Sequence, residues 1–139
     1  MLMPQTVEYA FRAMACLALA GDEARRVEDI SERVDVPRPY LSRVMRQLVV
    51  AGLVKSQRGL HGGYRLAREP AAIRYEDILD AMHFQANDGH CAFGLPQCNA
   101  DRPCPLHDSW KQLQDHFRLW ARAHTLADIE SVGYCPPIR

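Results

Sequence analysis

Cys91, Cys98 and Cys104 fall within fourteen residues, with six and five residues between them, and a histidine follows in the pattern Cys104-x-x-His107. Thiolates are soft ligands that suit an iron–sulfur cluster, zinc or Cu(I), and several sulfurs reach one centre only if the backbone between them can turn. Between Asn87 and Pro105 hydrophobic periodicity disappears and Gly, Pro, Asn and Asp dominate, so the three thiols sit on such a loop. Packing would instead place cysteines on periodic apolar faces, so this grouping points to metal. The leading reading is an iron–sulfur cluster, 2Fe–2S or 4Fe–4S. Zinc is the chemical rival, because three cysteines and one histidine are a common structural zinc set. A third reading has no metal and a redox sensor whose thiols react directly. Cys16 lies on the apolar face of the first helix and reads as a small core residue, and Cys135 reads as a bystander thiol in the tail.

A disulfide framework is not expected, because the chain reads as cytoplasmic, where thiols stay reduced. Its start lacks a basic n-region and carries Glu8 and Arg12 where a signal peptide needs an unbroken apolar run. The apolar stretch 14–20 runs into Gly21, Asp22 and Glu23, short of the roughly 20 residues of a membrane span, so no membrane partner is expected.

Charge is the second chemical signal. The chain is neutral overall, yet Pro37 to Arg68 holds Arg38, Arg43, Arg46, Lys55, Arg58, Arg65 and Arg68 and no acid. That window carries +7 and the remainder −7, the one-sided footprint of a phosphate-binding face or, on charge alone, of a solvated basic surface. No nucleophile is paired with a base, and no glycine loop leads from a strand into a helix, so no enzyme is expected.

The elements that must position these groups follow from periodicity. At 139 residues, 47% hydrophobic and 24% charged, the chain can fold as one compact domain with an accessory arm. Thr6 is placed to cap a first helix through Tyr9, Ala10, Ala13, Met14 and Leu17, which ends near Gly21. Val27, Ile30 and Val34 mark a short helix broken at 35–37, and Leu41, Val44, Met45, Leu48 and Val49 stripe the next one up to Gly52. This is a helix-turn-helix, and the alternation at 53–56 and 64–66 around a glycine turn adds a basic hairpin, a wing. Tyr75, Ile78, Leu79 and Met82 give a further helix. A long one then runs through Trp110, Leu113, Phe117, Leu119 and Trp120, apolar enough to pack on a partner chain or into an intramolecular core. The fold expected is mainly α with a small β-hairpin: a winged helix-turn-helix domain over 1–84, a cysteine loop over 85–105, a dimerisation helix over 106–129 and an irregular tail over 130–139. Tyr40, Ser42, Arg43 and Arg46 on the recognition helix and Arg58 in the wing are the expected DNA contacts. Arg38 and Arg65 are candidate phosphate contacts or solvated cations, as is His61 in the wing turn.

The runs 9–14 (YAFRAM), 39–48 (PYLSRVMRQL), 52–54 (GLV) and 58–66 (RGLHGGYRL) together resemble the Rrf2 family of winged-helix regulators, over about residues 1–129. The resemblance implies a homodimer on double-stranded DNA, with the last long helix crossing to the partner and the first helix contributing to the dimer. A dimer reads two half-sites, hence a palindromic operator. It also implies a cluster on the three-cysteine loop and a repressor whose operator affinity follows redox, nitric oxide or iron–sulfur status. In IscR-like members a histidine at the position of His107 ligates a two-iron cluster. In NsrR-like members an acidic residue at the position of Glu8, from the other subunit, completes a four-iron site. Both residues are present, and His90 beside Cys91 is a third candidate. The family's usual first gap is five residues, sometimes longer, and here it is six.

Overall fold

The computed structural model describes residues 3–85 and 89–133. In chain order it comprises α1 (Gln5–Ala20), α2 (Val27–Val34), α3 (Arg38–Val50), β1 (Val54–Gln57), β2 (Gly63–Leu66), a 3-10 turn (Pro70–Ala72), α4 (Tyr75–Ala81), α5 (His107–Ala123) and α6 (Ala127–Val132).

Helix α1 is the central strut. Its buried Val7, Ala10, Met14 and Leu17 meet Ile30 and Val34 of α2 and Leu41, Met45 and Leu48 of α3 in one core. It starts earlier than a Thr6 cap requires: Pro4 is the N-cap, its carbonyl accepts from the Val7 and Glu8 amides, and no side chain caps the end. Proline's fixed φ pre-sets that first turn, so Thr6 lies inside the helix. Between α2 and α3 the chain turns through Asp35 in the left-handed region (φ 53°), and Ser31 Oγ donates to the Val36 carbonyl at 2.6 Å. That turn buries Val36 and sets the helix-turn-helix angle.

The hairpin pairs Val54 with Leu66, Lys55 with Arg65, Ser56 with Tyr64 and Gln57 with Gly63. It is stitched to the stretch before α2, where Arg25 and Tyr64 exchange both backbone hydrogen bonds (2.8 and 2.7 Å). Gly63 makes this approach feasible: at φ +136°, a Cβ there would lie 2.5 Å from the Arg25 carbonyl oxygen.

The single helix expected over 106–129, with an irregular tail after it, is in fact two helices. Helix α5 ends at Ala123, His124 is extended, and α6 runs on to Val132. Tertiary pairing causes the break. Tyr75 N–H donates to the His124 carbonyl (3.1 Å), Leu126 N–H donates to the Ile73 carbonyl (3.0 Å), and fully buried Leu126 plugs the core. Backbone groups paired across to Ile73 and Tyr75 are unavailable to a continuous helix.

Candidate metal centre and nucleic-acid interface

On α3, Leu41, Val44, Met45 and Leu48 are buried, which turns Ser42, Arg43 and Arg46 outward on the opposite face. Tyr40 is exposed on the flank of that face. Arg58 is exposed where the wing turns. Arg38 differs from these, because its guanidinium is bonded to Glu28 of α2 at 2.6 Å and its charge is partly neutralised. Arg65 is half-buried and stands directly across the hairpin from Lys55. Like charges placed opposite each other cost stability, which a polyanion would relieve.

Two further cations belong to this face and were not singled out from sequence. Arg68 shares with Arg46 a groove of about 400 Å³ that also takes in Asp77, Asp80 and His83. Arg26 reaches 34 residues along the chain to donate to the Leu60 carbonyl at the wing tip (3.2 Å). Arg68 was visible only as one charge in the basic window, and Arg26 lies outside that window altogether. In the groove, burial first, then the Glu76 and Asp77 carboxylates, raise the Asp80 carboxyl above its ordinary range, with Arg122 opposing.

The cysteine loop is shaped by its own backbone. The Cys91 N–H donates to the Leu95 carbonyl, and the Leu95 N–H donates to the Cys91 Sγ at 3.4 Å. Asn99 Oδ1 accepts from the Asp101 and Arg102 amides, an Asx turn that folds the second gap. The Cys98 N–H donates to the Gly89 carbonyl, and the His107 N–H to the Cys104 carbonyl. From α5, the Trp110 indole donates to the His90 carbonyl at 3.0 Å, anchoring the residue before Cys91.

Cys91 is buried and Cys98 and Cys104 are half-buried, all three as free thiols. They lie within electrostatic reach of one another: burial first, then the Cys91 and Cys104 thiolates, raises Cys98. Mutual repulsion of this kind is what a bound cation removes. His107 Nδ1 is buried with no hydrogen-bond partner, alone in this among the described residues. A buried polar atom without a partner is costly, so the ring nitrogen of His107, three residues beyond Cys104, is a donor free to take a ligand. Glu8 is half-buried in the first turn of α1, and among the described residues no hydrogen bond or ion pair joins it to the loop. Cys16 is buried on α1 as a core residue, whereas Cys135 lies outside the described residues.

A helix-turn-helix with an outward arginine face, followed by a glycine-turned basic hairpin, defines a winged-helix DNA-binding regulator, not an enzyme. Residues 3–131 match the model of the Rrf2 family, described as iron-dependent transcriptional regulators, and the chain belongs to that family. It is 33% identical over 137 residues to the HTH-type transcriptional regulator IscR of Cereibacter sphaeroides, covering 94% of this chain and 88% of that one. Among solved structures it is similar to CymR, the global cysteine regulator of B. subtilis (TM-score 0.78, 26% identity, 94% and 96% of the two chains). It is also similar to T. potens IscR (TM-score 0.74, 27% identity, 95% and 88%). Among the described residues no helix is long and apolar enough to cross a membrane.

Proposed function

We propose that this transcriptional regulator is a cytoplasmic homodimer that represses by binding a palindromic operator, with its affinity set by an iron–sulfur cluster on Cys91, Cys98, Cys104 and His107. The observation that carries the ligand set is the buried, partnerless Nδ1 of His107, three residues beyond Cys104 of the cysteine loop. It favours His107 over a partner's Glu8 and over His90, whose exposed position leaves it in contact with water. Among the described residues no three His, Cys, Asp or Glu side chains converge tightly enough for a single ion. The choice of a cluster over one zinc, which takes its donors at about 2.3 Å from each sulfur, rests instead on the match to a family described as iron-dependent. When bound, such a cluster supplies iron that responds to oxidants and nitric oxide.

The chain's own residues connect this loop to the reading head. The loop runs directly into α5, and Arg122 near the end of α5 bonds Glu76 of α4 at 2.8 Å. Trp120 stacks on Tyr75 of α4 (5.6 Å, 23°), and Tyr75 meets Phe11 of α1 edge-on (5.1 Å). A displaced α5 therefore moves α4 and α1, against which α3 is packed. The same helix supports dimer formation: Leu106 at its N-cap and Leu113 one heptad on are exposed on one face, whereas only Gln114 and Ala121 of α5 are buried. A stripe of this spacing is covered stably by a second copy. Helix α3 of each copy then enters one of two successive major grooves.

Purification without oxygen, with a visible spectrum and iron, sulfide and zinc content, tests the ligand set in the wild type, His107→Ala and Glu8→Gln. Brown wild-type protein with matched iron and sulfide, bleached by His107→Ala and unchanged by Glu8→Gln, is expected. Colourless protein with one zinc per chain, or with no metal, overturns the cluster. Loss of colour in Glu8→Gln alone moves the fourth ligand to the partner.

A further inference from the structure

The wing tip presents an apolar residue where a solvated loop would place a polar one. Leu60 is 84% exposed, the most exposed large hydrophobic residue described, and it sits between Arg58–Gly59 and His61. The backbone beneath it is tightly held. Gly62 N–H donates to the Gly59 carbonyl at 3.0 Å, and a Cβ on Gly62 would lie 2.6 Å from the Gln57 oxygen and 2.8 Å from the Gly59 oxygen. Arg26 donates to the Leu60 carbonyl, and the Arg25–Tyr64 pair fixes the hairpin to the helix-turn-helix. Leu60 is therefore aimed by a folded turn while its side chain touches nothing that would bury it. Its neighbours are cationic: Arg26 and Arg58 flank the tip.

We infer that Leu60 is an apolar wedge that enters the minor groove of the operator and partly unstacks a base step there, so that it selects deformable sequence under the wing. This rests on the DNA-binding reading and adds a residue to it. An apolar side chain on a rigid, positively flanked tip fits the minor groove, where wedges are inserted at flexible pyrimidine–purine steps and cations hold the adjoining phosphates. A polar or flexible tip would be enough for phosphate contact alone. The hydrogen bond from Arg26 ends on the Leu60 carbonyl and not on its side chain, which keeps the wedge free while holding its direction.

The test uses full-length protein and a duplex recovered by the wild type from a random library. Affinity, its salt dependence and DNA bending by end-to-end energy transfer are measured for the wild type, Leu60→Ala and Leu60→Met. Leu60→Ala is expected to lose roughly ten- to fiftyfold in affinity, the worth of a buried leucine side chain truncated to a methyl, together with the bend. The slope of log K against log salt stays unchanged, because no phosphate contact is removed. Leu60→Met retains both affinity and bend, and the recovered duplexes carry TA or CA steps under the wing. Equal affinity and bend in Leu60→Ala overturn the wedge, as does a loss accompanied by a slope reduced by about one, which marks a phosphate contact instead. Failure of the wild type to recover any duplex overturns the DNA-binding reading itself. Because Leu60 lies outside the core, neither variant is expected to change the unfolding midpoint.

Discussion

Gly63→Ala tests the stitch that poses the wing. A Cβ at this position would sit 2.5 Å from the Arg25 carbonyl oxygen, 2.6 Å from its carbon and 2.9 Å from the Arg26 nitrogen, all backbone atoms. None of these is the free end of a flexible side chain, so the Arg25 strand must retreat and both Arg25–Tyr64 hydrogen bonds lengthen or break. Two backbone bonds are worth about 0.5–1.5 kcal/mol each, and holding alanine at φ +136° adds about 1–3 kcal/mol. An overall loss of about 2–6 kcal/mol follows. Gly52→Ala is the matched control: its φ is +78°, but nothing lies within 4 Å of its Cβ, so it carries only the left-handed strain of about 1–2 kcal/mol. Urea unfolding of the two variants beside wild type isolates the close approach as their difference. Operator titration of each folded variant then reads the wing, with Gly63→Ala weakened well beyond Gly52→Ala. Equal stability of the two variants, within about 0.5 kcal/mol, would refute the packing explanation, since sites without special contacts vary over that range.

Leu113→Glu puts a charge in the middle of the exposed α5 stripe and should raise the dimer dissociation constant by roughly 30-fold or more. Sedimentation velocity reads this, and because Leu113 is already 52% exposed in the single chain, circular dichroism should stay unchanged. Arg38→Ala should weaken operator binding less than Arg43→Ala, by about 1 kcal/mol or more, because Glu28 already occupies the Arg38 guanidinium; the comparison is made by DNA titration at fixed salt. Asp80 is raised above 3.8 chiefly by burial, so the folded state holds its proton more tightly than the unfolded chain does. Folding stability then falls as pH rises from the ordinary carboxylate range through the raised value and remains lower above it. Asp80→Asn should flatten that part of the stability–pH profile and raise the neutral-pH urea midpoint only slightly, because the exposed carboxylate is screened by solvent; a steeper profile would contradict the assigned cause.

The sequence alone determined the features that rest on local chemistry. The apolar stripe of α3 places Ser42, Arg43 and Arg46 on its opposite face by helical geometry, whatever surrounds the helix. The glycine turn between two alternating runs makes a hairpin by itself, and the loss of periodicity around Cys91, Cys98 and Cys104 marks a loop. Tertiary structure decided what depends on residues distant in sequence. The division of the C-terminal helix came from Ile73 and Tyr75 pairing with the chain around His124 and Leu126, some fifty residues away. Periodicity in a single window carries no information about such a pairing. Glu28 engaging Arg38, Arg26 reaching the Leu60 carbonyl and Arg68 joining Arg46 in one groove are likewise meetings of separate elements. The proposed preference for His107 over Glu8 as fourth ligand is of the same kind: sequence offered both alike, and the proposal rests on burial, which leaves His107 Nδ1 without a partner. Burial is a property of the packed chain, because it depends on every element that closes over the atom.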